Sequence, residues 1–95
     1  MNRTDFESEL DAQGYREVVD RRMEAGAINP EHAHECDARL LILEGEMTIE
    51  CDGEEHTYRS GDTFAMTAGR RHTERSGLQG VRYLAGRRYQ QAPAS

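Results

Sequence analysis

Apolar residues in this chain fall in short runs broken by polar and turn-forming residues, and only the N-terminal stretch departs from that pattern. There, Thr4-Asp5 followed by Phe6, Leu10 and a terminating Gly14 has helical spacing, with a capping residue at the start and a glycine stop. It predicts one short amphipathic helix over residues 1–14, covering one end of the fold. The runs at 15–24, 32–36, 39–44, 47–51, 54–59, 63–66, 72–75 and 81–85 are of the β type. Between them stand Gly26, Asn29-Pro30, Glu44-Gly45, Asp52-Gly53, Ser60-Gly61 and Gly69, residue types that turns require. Short strands at such even spacing, with no second helical pattern, predict an all-β sandwich or barrel over residues 15–89. Residues 90–95, small and polar with Pro93, read as a flexible tail.

Two turns predict which side chains share a face, because residues opposite one another across an antiparallel pair point the same way. Asp52-Gly53, as a two-residue hairpin turn, sets Cys51 opposite Glu54, Ile49 opposite His56 and Met47 opposite Tyr58. Glu44-Gly45, read likewise, pairs Ile42 with Met47, Leu40 with Ile49 and Ala38 with Cys51. The resulting face, Ala38, Leu40, Ile42, Met47, Ile49, Cys51 and Tyr58, is mostly apolar and is the expected interior. His56 is carried inward with it.

A chain of 95 residues makes one domain whose core is marginal unless a sheet closes, a metal binds or two chains associate. Its 18 acidic and 12 basic residues give a formal charge of -6, a poor match to a phosphate backbone, so no nucleic-acid partner is expected. Every basic residue is Arg, and no spacing among them assigns a task. No stretch approaches the roughly 20 apolar residues of a membrane span, and Met1-Asn2-Arg3-Thr4-Asp5 opens no signal-peptide core. A soluble, cytoplasmic protein with no membrane partner is expected. Cys36 and Cys51 fit that compartment as reduced thiols, with a disulfide between them left open.

The chemistry concentrates in the histidines. His32-Ala33-His34 in a strand puts two imidazoles on one face, within reach of one ion, while Ala33 points away. Alone, the pattern fits two surface histidines on an edge strand as well. It is not alone: Gly26, five residues, His32-x-His34 and then Gly45 resemble the first motif of the cupin family, and Gly61-x5-Thr67-x-Gly69-x2-His72 resembles the second. The resemblance runs over about residues 20–86 and extends to Leu43-Glu44-Gly45-Glu46, Asp52-Gly53, Gly61-Asp62, Phe64 and Met66. It implies a small single-domain cupin, a double-stranded β-helix or jelly-roll barrel, with a divalent metal ion held by His32, His34, His72 and a glutamate at position 38. Position 38 is Ala. Thr67 stands where the family usually has Pro, and Ser76 where it often has Asn.

The absent carboxylate leaves three readings. Three neutral imidazoles suit Fe, Zn, Ni, Co or Cu, with Mn kept among the candidate ions, and leave open positions for water or substrate. Alternatively Cys36, Asp37, Cys51 or Glu54 substitutes, Asp37 by way of a bulge. In the third reading no metal binds tightly and the histidines are polar ligand contacts. His56, beside Ile49 and Tyr58, is either a hydrogen-bonded core residue or a pocket acid or base. Cys36, Cys51, Phe64 and Met66 are further candidates for the pocket wall. Arg70-Arg71 stands next to His72 as an attractor of anions or as a solvated loop pair, and Arg87-Arg88 carries still less weight.

The resemblance implies a metal-dependent enzyme, dioxygenase- or isomerase-like, acting on a small polar or anionic molecule, or else a non-catalytic small-ligand sensor; the fold does not choose between them. No Ser-His-Asp order, phosphate loop or paired carboxylates point elsewhere. Because cupin sheets commonly pair and the core is small, a homodimer is also expected.

Overall fold

The computed structural model describes residues 1–89, so the expected tail lies outside the described residues. Its elements are α1 (Arg3–Ala12), β1 (Glu17–Met23), β2 (Ile28–His32), β3 (Cys36–Cys51), β4 (Glu54–Arg59), β5 (Thr63–Met66) and β6 (His72–Tyr89). All the strands are antiparallel, and they are organised around β3 and β6. One part of this long pair, residues 36–45 against 81–89, is flanked by β5 and β1. The other, residues 47–50 against 73–76, is flanked by β4 and β2. The sheet folds over between these halves: a single buried cluster combines Ala38, Leu40, Tyr83 and Ala85 from the first with Met47 and Ile49 from the second. This is the expected all-β architecture.

The Asp52-Gly53 hairpin has the expected register, Cys51 with Glu54, Ile49 with His56 and Met47 with Tyr58, and both turn residues have the positive φ that such a turn demands. Glu44-Gly45 is not a turn. Residues 36–51 form one strand, in which Ile42 pairs with Tyr83 and Gly45 with Val81, so Ile42 does not pair with Met47, nor Ala38 with Cys51. The sequence reading went wrong at a change of parity. Inward positions are Ala38, Leu40 and Ile42, then Met47 and Ile49, and a hairpin would make that even-to-odd switch. One bulge makes it here, between Ile42 and Glu44, where two residues of β3 advance against one of β6; the second shift, between Gly45 and Met47, places its extra residues on β6, between Ser76 and Val81. Gly45 has φ 75° and packs against the backbone of Gly80, where a side chain would collide. Likewise the runs at 72–75 and 81–85 belong to one strand, β6.

α1 is capped by Asn2, ahead of the expected Thr4-Asp5: the Asp5 amide donates to Asn2 Oδ1 at 2.8 Å. Phe6 and Leu10, one turn apart, are its buried residues. They pack with Tyr15, Leu41 and Leu84 in a second core, on the outer face of the sheet and not over a barrel end. Gly86 permits this approach, since a Cβ there would lie 2.8 Å from the Leu10 methyls.

Candidate metal centre

β2 and β6 pair so that His32 stands directly opposite His72. Forty positions apart in sequence, the two thus become cross-strand neighbours with ring centroids 4.5 Å apart. Strand pairing brings them together, with no need of distant edges meeting. His34 lies beyond the end of β2, in an irregular segment, so His32 and His34 are not in one strand as expected. The segment is held by the Gly69 amide, which donates to the His34 carbonyl at 2.9 Å. The His34 ring sits 4.8 Å from that of His32 and 5.3 Å from that of His72. One ring nitrogen from each histidine falls in a group whose members all lie within 4.8 Å of one another.

The backbone orients two of these rings. His32 Nδ1 lies 2.7 Å from the Pro30 carbonyl and His72 Nδ1 3.0 Å from the Arg70 carbonyl. A carbonyl only accepts, so each Nδ1 carries the proton and each neutral ring keeps its lone pair at Nε2, the tautomer a metal ligand needs. Burial, with the neighbouring His32 and His72, lowers the pKa of His34 below the ordinary histidine value, which also favours a neutral ligand.

His72 is buried, and so is Glu74, two residues further along β6. Glu74 Oε1 accepts a hydrogen bond from Asn29 Nδ2 at 3.1 Å and lies 3.4 Å from His32 Nε2. With the Nδ1 proton given to Pro30, a neutral His32 turns a lone pair toward a carboxylate oxygen. Two acceptors facing one another need a cation or a proton between them. The three imidazoles fit a divalent ion; Glu74 stands beside His32 but outside the three-histidine group.

None of the substitutes suggested by sequence belongs to the histidine group. Asp37 accepts from the Ala68 amide at 2.9 Å and from Arg88 at 3.0 Å, contacts that hold its carboxyl below the usual range. Cys51 Sγ accepts from Arg70 Nε at 2.9 Å, Glu54 is exposed beside His56, and Cys36 is buried opposite Tyr89. Both thiols are free. Cys51, His56, Phe64 and Met66 do line one cavity, of about 200 Å³, but it is distinct from the one beside the histidines. His56 is on the predicted face yet 63% exposed, because β4 is an outer strand and carries the residue to the rim, so it is not a core residue. Arg70 and Arg71 are paired with Asp52 and Glu31, which leaves neither charge unopposed.

The histidine cavity, about 120 Å³, is lined by His32, His34, Ala38, Glu74 and Tyr83 together with Asn29, Arg21 and Arg87. Larger grooves elsewhere, such as that bordered by Arg22, Glu24 and Gln79, gather no group of three ligating residues among the described residues. Glu74 had a readable signal, His72-x-Glu74, two positions on one strand face. Arg21 and Arg87 had none.

Residues 19–78 match the family model described as a cupin domain. The chain belongs to the cupin family. No curated protein sequence matches this cupin. Solved structures share its fold: a protein of unknown function from Rhizobium leguminosarum, 23% identical, aligns over 77% of this chain and 69% of its own with TM-score 0.73. A cupin superfamily protein from Desulfitobacterium hafniense, 18% identical, covers 79% and 80% with TM-score 0.67. An RmlC-like cupin from Shewanella frigidimarina, 23% identical, covers 74% and 62% with TM-score 0.66. At such identities the likeness concerns the fold.

Proposed function

We propose that this cupin holds a divalent metal ion through His32, His34 and His72, with Glu74 as the carboxylate ligand, and binds or transforms a small polar or anionic molecule there. The observation that carries the reading is the clustering of three imidazole nitrogens, two oriented by backbone carbonyls, against a buried carboxylate. Bound there, a divalent ion would act as a Lewis acid toward a coordinated oxygen. The chain's own residues do the rest. Pro30 and Arg70 fix the ring orientations through their carbonyls, Asn29 holds Glu74, and Ala38 leaves the cavity open where the family has a glutamate.

A second reading is a non-catalytic ligand-binding module, in which the same cavity holds its ligand without turnover. The two are separated by incubating the iron- or zinc-loaded chain with small acids and following both turnover and binding. Product formation abolished by His72→Ala supports the enzyme; saturable binding without turnover supports the module. We read the protein as cytoplasmic on its two free thiols, and as a homodimer on its small core.

A further inference from the structure

Eight of the twelve arginines are ion-paired with carboxylates. Among the described residues Arg16, Arg21, Arg22 and Arg87 make no such pair, and two of these four, Arg21 and Arg87, line the histidine cavity. They arrive from different strands, Arg21 on β1 opposite Tyr83 and Arg87 on β6 opposite Ala38. Arg16 and Arg22 border only open grooves, one of which Arg87 also borders. Two unopposed guanidinium groups on one small cavity are unexpected in a chain of formal charge -6 with 18 carboxylates to neutralise them. Both charges act on the buried Tyr83 phenol, which lines the same cavity.

We infer that Arg21 and Arg87 form an anion-binding wall across the cavity from the histidines, and that the ligand is a small dicarboxylate with one carboxylate toward the ion and the other on the guanidinium pair. The inference rests on the metal reading above for the first carboxylate only. An ion with Glu74 bound retains a net positive charge, and the arginines add a second positive region that a monocarboxylate cannot satisfy at the same time. Guanidinium is the side chain best matched to a carboxylate, through paired N–H donors in one plane. The cavity, about 120 Å³, is worth about four water volumes and fits an acid of a few heavy atoms.

The test is calorimetric titration of malonate, and of its one-charge analogue propionate, into the full chain with and without zinc. In the zinc-loaded protein malonate should bind about tenfold or more tightly than propionate, the scale of charge-assisted hydrogen bonds. Arg21→Gln and Arg87→Gln should each remove most of that preference, by weakening malonate more than propionate. Arg87→Lys should restore part of it, since it keeps the charge without the fork. Arg21 is exposed on an outer strand, so Arg21→Gln carries the test should Arg87→Gln fail to fold. Malonate affinity indifferent to both substitutions overturns the inference. A chain that takes up no zinc removes the metal reading instead, and the wall is then judged on the metal-free protein, where the same substitutions must still weaken malonate.

Discussion

In the proposed centre Glu74 is the carboxylate ligand, because its Oε1 lies 3.4 Å from His32 Nε2. Glu74→Gln keeps an acceptor for Asn29 and removes only the charge. It should lower divalent-ion affinity by about 10–100-fold, measured by competition with a chelator, without changing the far-UV spectrum. Unchanged affinity would make Glu74 a structural partner of Asn29. Asp37 permits a pH argument. Its carboxyl is held below its ordinary 3.8 by the Ala68 amide first and by Arg88 second. A carboxyl depressed on folding adds stability that is fully present above the unfolded value and lost as pH falls through the folded one. Asp37→Asn should therefore be less stable than the native chain at neutral pH, and the gap should close in acid, below the carboxylate range. Denaturant midpoints across that pH range check it. The three histidines were legible because their spacing matches a family motif; Glu74 carried a signal in His72-x-Glu74 but was passed over, because a substitute was sought at Cys36, Asp37, Cys51 and Glu54.

At the level of elements, the strands, the Asp52-Gly53 hairpin and the helix could be read from local pattern and turn chemistry. The two long strands could not. A bulge and a hairpin both convert even to odd inward parity, and only the partner strand β6, distant in sequence, distinguishes them at Gly45. The helix was legible but its seat was not, since nothing local tells an outer face from a barrel end. That seat makes a prediction: Leu10, 1% exposed against Leu41, Leu84 and Gly86, serves a core separate from the metal centre. Leu10→Ala should cost about 2–5 kcal/mol in urea unfolding while bound metal per folded chain stays the same. Loss of metal in the folded variant would show that the helix supports the site.

For the whole molecule, the fold and the histidine cluster agree with a cupin in which two sheet halves enclose a small, polar cavity. No helix among the described residues is long and apolar enough to cross a membrane. Val18 on the outer strand β1, and Ile28 and Leu78, expose apolar surface, so light scattering at tens of micromolar, on the order of usual assay concentrations, should give a dimer mass. A monomer mass there would contradict it. The central claim, one ion held jointly by residues from β2, the segment after it and β6, is tested most directly by elemental analysis of the purified chain and its single His32→Ala, His34→Ala and His72→Ala variants. The account predicts about one divalent ion per native chain and its loss in every variant, with β-rich circular dichroism retained throughout. Metal content unaffected by His72→Ala would contradict it.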